Sequence, residues 1–261
     1  MSRPIDQALL LRRTPYGESS LVVHAMTAQH GRVHLVAKGA YRRTSRFFCV
    51  LDLFHTLELG WSTKAGRELD PLSQGDLLHR RRRLPLDPAS YSAGASVLEL
   101  LDLVAVKGQP EPALFQIAVQ ALDALDELRG AIELGAQAVL LRFQLLLLGE
   151  LGLPPALGNC ARCAGPAPGM GGRAAFSARA GGRLCRSCAN EARREGGRVG
   201  TLPEVVLSAC AGAARGQQPP ADLLERCLDF VSRFLDVHLE ARLKSQRQFL
   251  AAANRNAPPR P

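Results

Sequence analysis

GRVHLVAKGAYRRTSR, residues 31–46, decides how the rest of the chain is read. Its first half alternates, with Val33, Leu35 and Ala37 on one side and His34 and Val36 on the other, as expected of a strand with a buried face. The character then changes. Lys38, Arg42, Arg43 and Arg46 place four cations and no acid in one turn, and Gly39 lets the backbone bend where a side chain would clash. A strand that ends in an uncompensated basic turn suits a phosphate backbone. If all four cations reach single-stranded phosphates, log K falls against log salt with a slope of about −3. The opposing reading is a solvated charged loop. Tyr41, inside the turn, is a candidate for base stacking, with core packing as its alternative.

Around this stretch lie short strand-like runs at residues 8–12, 19–27, 32–37, 47–51 and 53–59. The second and third pair as a hairpin across Gln29, His30 and Gly31. Five strands in about 80 residues, with glycine turns between most of them, predict a small closed or partly open barrel. Phe48 and Phe54 read as internal, and Phe47 joins Tyr41 as a stacking candidate. Arg80–Arg83 is a run of four arginines directly before Leu84, Pro85, Leu86, Asp87 and Pro88, whose prolines read as a linker. In the functional reading Arg81 and Arg82 extend the polyanion track; in the other the run is a solubilising hinge.

Beyond the linker the period becomes helical. Residues 89–106, 113–128, 132–151, 203–213 and 221–250 carry apolar positions at three- and four-residue steps and form a helical bundle. Residues 159–200 interrupt it with a stretch rich in Gly, Ala and Arg, too poor in apolar side chains to fold on a core of its own. Cys160 and Cys163, then Cys185 and Cys188, make CxxC…CxxC, the spacing of two knuckles on one tetrahedral ion. Zinc held by four thiolates can supply ~10–16 kcal/mol of apparent folding energy; a redox dithiol and an unliganded loop are the alternatives. Cys49, Cys210 and Cys227 read as small core residues.

Charge is unevenly distributed along the chain. Of the net +9, residues 1–83 hold +7, 84–158 hold −6, 159–200 hold +6 and 201–261 hold +2, so a polyanion would meet one side of the protein and not coat all of it. No continuous apolar run has the length of a membrane span, and the start lacks a signal peptide's apolar core and cleavage site, so cytoplasm is expected. No GxxxxGK[ST] occurs, so activity needs no bound nucleoside triphosphate. Four sulfurs close a metal's shell, which excludes an activated water there, and no H-x-E precedes either cysteine pair as a zinc deaminase requires. A metal-dependent nuclease needs clustered carboxylates, whereas the acids here are spread over helix surfaces. The remaining competitor is a zinc-ribbon transcription or translation factor that reads nucleic acid through its metal module.

Three blocks, taken together, resemble the RecO family of DNA repair and recombination mediators: YGESSLVVHAMTAQHGRVHLVAKGAYRRTSRF (16–47), RFQLLLLGELGLPPALGNCARC (142–163) and FLDVHLEARLKSQRQFL (234–250). The resemblance implies an α+β multidomain fold. Residues 1–83 would be an oligonucleotide-binding (OB) barrel, 84–158 plus 201–250 a helical domain, 159–200 a zinc-binding insertion and 251–261 a disordered tail. It implies a non-enzymatic role: binding single- and double-stranded DNA, annealing complementary strands coated with single-strand-binding protein without ATP, and loading RecA together with RecR. It assigns Lys38, Arg42, Arg43 and Arg46 to DNA and the four paired cysteines to one structural Zn²⁺. No membrane or small-molecule substrate is implied, and the cytoplasmic location becomes nucleoid-associated.

Overall fold

Alternation along the first 37 residues builds three antiparallel neighbours: β1 (Ile5–Tyr16), β2 (Ser20–Thr27) and β3 (Gly31–Ala37). The computed structural model describes residues 3–251 except 48, 64, 65, 242, 246 and 250. β4 (Thr56–Trp61) pairs with β1, and β5 (Asp70–His79) pairs with β4. A short parallel pairing of Leu35 with Asp70 and Val36 with Pro71 then closes the barrel in the order β1-β2-β3-β5-β4. Leu10, Val23, Ala25, Leu35, Leu57 and Leu59 fill its interior, all fully buried.

Of the five expected strands, 47–51 is not a strand, 53–59 is shifted as β4, and β5 is not among them. Residues 38–55 contain no strand among those described; they are turns, and Phe47 and Leu51 plug the barrel interior from them. The fifth strand, β5, has weak alternation and carries Pro71 and Gly75, so it escaped the sequence reading. Phe54 is buried, but beneath a helix: its ring meets Tyr91 edge-on at 5.1 Å between centroids. Phe48 lies outside the described residues. Cys49 is exposed, contrary to expectation, while Cys210 and Cys227 are buried.

Helix α1 (Pro88–Val104) starts where Asp87 accepts a hydrogen bond from the Ser90 amide at 2.8 Å, with proline at the first turn. α2 (Pro112–Glu127) follows and packs on α1, and α1 packs on β1 and β2. The chain divides into two units, residues 1–128 and 129–261. The sequence reading ends its first domain at Arg83; the first unit runs on to Leu128 and includes both helices.

In the second unit α3 (Ile132–Glu150) packs against α5 (Glu204–Ala214) and α6 (Ala221–His238), with α4 (Arg186–Arg194) between α3 and α5 in the chain. α3 has the length and apolarity of a membrane span although no continuous apolar run marks it, and half of its most apolar window is buried. α6 stops at His238 rather than near Leu250, and Glu240 takes a left-handed φ of 50°. Residues 252–261, most of the expected tail, lie outside the described residues. The insertion forms β6 (Arg173–Ser177), β7 (Gly182–Leu184) and β8 (Gly200–Pro203), ordered β7-β6-β8. It has more apolar anchorage than its composition promises. Phe176 on β6 meets Phe230 of α6 edge-on at 4.9 Å, and Leu184, Ala189 and Ala192 bury beside the cysteines.

Candidate nucleic-acid interface and metal centre

The basic turn begins where β3 ends. Gly39 has φ +67°, a conformation that favours glycine, and the Tyr41 amide donates to the Ser19 carbonyl at 3.0 Å. Inside the turn the Arg42 amide donates to Gly39 O at 3.0 Å and the Ser45 amide to Arg42 O at 2.8 Å. These bonds fix the backbone while Lys38, Tyr41, Arg42, Arg43 and Arg46 remain exposed. No ion pair engages Lys38, Arg42, Arg43 or Arg46 among the described residues. Arg46 stands over the Phe47 ring, 5.7 Å from its centroid, and Phe47 itself faces the core, so it offers no ring to a base. Tyr41, 49% exposed, does.

The four consecutive arginines separate. Arg80, Arg82 and Arg83 are exposed; Arg81 is wholly buried. Its guanidinium donates to Phe54 O at 2.7 Å, to Thr56 Oγ1 at 3.2 Å and to Asp123 Oδ1 of α2 at 2.7–2.8 Å. Its amide donates to His55 Nδ1 at 3.3 Å. Burial pushes its pKa down and the Asp123 carboxylate pushes back. Arg81 therefore has no face to present to DNA and is removed from the expected track: it clamps α2 to the barrel. Arg82 keeps its place at the surface.

The four paired cysteines do converge. Their sulfurs all lie within 4.8 Å of one another, with Cys163 and Cys185 at 3.9 Å. A tetrahedral ion with sulfurs at about 2.3 Å requires S···S near 3.8 Å, so this set could hold a metal ion. The four thiols are not electrostatically equivalent. Burial would raise the Cys160 thiol, but amides of Cys185, Cys163 and Arg162 donate toward its sulfur and hold its pKa at about 6. Cys188, hydrogen-bonded first to Cys185 and buried besides, is pushed up to about 12. Arg183, a strand arginine of the same module, spends its charge internally: it pairs with Glu204 and donates to Ala167 O at 2.5 Å.

One group of cations was invisible to local pattern. Arg3, Arg32 and Lys107, from three separate segments, line a single cleft near the start of β3.

Residues 1–81 match the family model described as Recombination protein O N terminal, and residues 85–247 match Recombination protein O C terminal. The chain is 35% identical over 246 residues to a DNA repair protein RecO from a Nocardioides species, covering 92% of this chain and 96% of that one. It is 34% identical over 220 residues to a DNA repair protein RecO from Rubrobacter xylanophilus, covering 81% and 84%.

Proposed function

This chain belongs to the RecO family, and from that premise we propose that it is a DNA-binding mediator of recombination and repair and not an enzyme. The observation that carries the reading is the turn at 38–46: four exposed cations without an acidic partner among the described residues, on a backbone held by its own hydrogen bonds. Each guanidinium can take a phosphate oxygen through paired N–H donors, and each contact releases condensed counterions. Tyr41 adds a ring for one base, and Arg82 extends the charged surface. Two complementary strands repel as polyanions; cations that neutralise both allow pairing to proceed without nucleotide hydrolysis.

In this reading the protein anneals DNA coated with single-strand-binding protein and cooperates with RecR in loading RecA, in the cytoplasm at the nucleoid. The four cysteines hold one structural Zn²⁺, which orders the insertion and takes no part in chemistry because its shell is closed. Annealing of complementary oligonucleotides pre-coated with single-strand-binding protein tests the proposal. Equal rates with and without ATP are expected, and failure to accelerate over the protein-free control would refute it. One zinc per chain by elemental analysis, lost in Cys163→Ser, is the matching result for the metal.

A further inference from the structure

Two clefts share a wall on the barrel. The first, about 550 Å³, is lined by Arg46 of the basic turn, by Gly60 and Gln74 of β4 and β5, and by Arg3. The second, also about 550 Å³, is lined by Arg3 again, with Arg32, His30, Trp61, Lys107 and Asp70. Arg3 and Pro4 belong to both, so the basic turn and the second cleft are joined by a charged path within one unit.

The second cleft is rigidly built. His30 Nδ1 lies 2.8 Å from Asp6 Oδ2, the carboxylate also receives the Gln29 amide at 2.7 Å, and the His30 ring meets Trp61 edge-on at 5.3 Å. Lys107 is set by the chain after α1, which bonds to β3 from both sides. The Arg32 amide donates to Val106 O at 3.1 Å and the Gly108 amide to Arg32 O at 3.2 Å. This docking requires glycine at 31, where a Cβ would lie 2.1 Å from Gln109 O. Arg3, Lys107 and the Asp102-paired Arg32 share the pocket with one carboxylate, Asp70, beside a half-exposed imidazole that rests on the buried indole of Trp61. That combination fits an anion joined to a flat ring better than either alone.

We propose that this cleft receives a single nucleotide of a DNA strand that has crossed the basic turn, its phosphate at Arg3 and Lys107 and its base against the exposed ring of His30. The inference rests on the DNA-binding reading above and adds a pocket at the end of the track. Arg32 is shared with Asp102 at 2.6 Å and so contributes mainly by shaping the wall. Asp70 disfavours a bare dianion in the same space, which makes the base necessary to binding.

Trp61 is the chain's one tryptophan and lies 5.3 Å from the His30 ring, so its fluorescence reports on changes at that imidazole. Titrating the full chain with thymidine 5′-monophosphate is expected to change that emission saturably. Lys107→Ala should weaken the titration about tenfold, the loss of one charged hydrogen bond, and His30→Ala at least about fivefold, the loss of one ring contact. Lys107→Ala should melt as the parent does; His30→Ala removes a partner of the buried Asp6 carboxylate and should melt lower, so Lys107→Ala is the deciding variant. Thymidine and inorganic phosphate, added separately, should each bind more weakly than the nucleotide. No saturable change, equal affinity in Lys107→Ala, or phosphate alone binding as well as the nucleotide would each overturn the pocket. The underlying reading fails separately: it falls if long oligonucleotides do not bind, or if they bind unchanged after Arg42→Glu with Arg43→Glu.

Discussion

Two arginine-rich stretches of the first unit look alike on paper and have opposite fates. In 42–46 the cations stay at the surface on a turn; in 80–83 the second arginine is withdrawn completely and used to fasten a helix. The difference lies in what the fold brings near. Asp123 and the Phe54 carbonyl wait at Arg81, whereas no carboxylate pairs with the turn among the described residues. Charge density in a sequence therefore measures potential for binding a polyanion, and the fold decides how much of it is already committed.

The largest effect should come from Arg81→Ala, which leaves backbone and carboxylate acceptors without their donor. A loss of about 3 kcal/mol is expected, toward the lower end for broken buried pairs because Asp123 is partly exposed. Urea unfolding measures it, and Arg81→Lys should not restore it, since an ammonium cannot span three acceptors. Next comes Arg42→Glu with Arg43→Glu. Oligonucleotide affinity should drop about 100-fold at low salt, with unfolding free energy within about 0.5 kcal/mol of the parent. If the double variant unfolds instead, the contrast between the stretches is lost.

A smaller effect concerns Arg32, a cation that sits in a strand and serves the fold. It lies beside the stacked rings of His24 and His34, 4.1 Å apart, and pairs with Asp102. Burial, then the neighbouring charge of Arg32, lowers His24; burial, then His24 itself, lowers His34 to about 4. Below the ordinary imidazole value of 6.5 the unfolded chain takes up protons that the folded barrel refuses. Stability should thus be unaffected by this pair above that pH and fall as pH drops from there toward about 4. A comparison of urea midpoints across that window should show a smaller drop in His34→Gln. The least effect belongs to Arg82→Ala: stability within about 0.5 kcal/mol, and the salt slope of single-strand binding shallower by at most about 0.7.

What the sequence made legible follows physical range. The β2–β3 hairpin and the paired cysteines are written in local period and spacing, and the structure has both. β5 was missed because Pro71, Gly75 and two acids blur its alternation; its place is set by the pairing partners β3 and β4. Phe47 and Leu51 read as strand residues because their apolarity was visible and their role as a plug was not. Arg81 was misjudged because its partner stands 42 residues away on a helix. The cations of the Trp61 cleft were beyond any local reading, since Arg3 and Lys107 meet only after the barrel closes.

The Arg81 clamp also bears on how this protein can be dissected. A fragment ending at residue 83 would keep the guanidinium and discard Asp123, exposing an arginine-lined seam where α2 had been. The shortest piece able to stand alone should instead finish near residue 128, so a truncation made by analogy with free-standing barrels would test a damaged molecule.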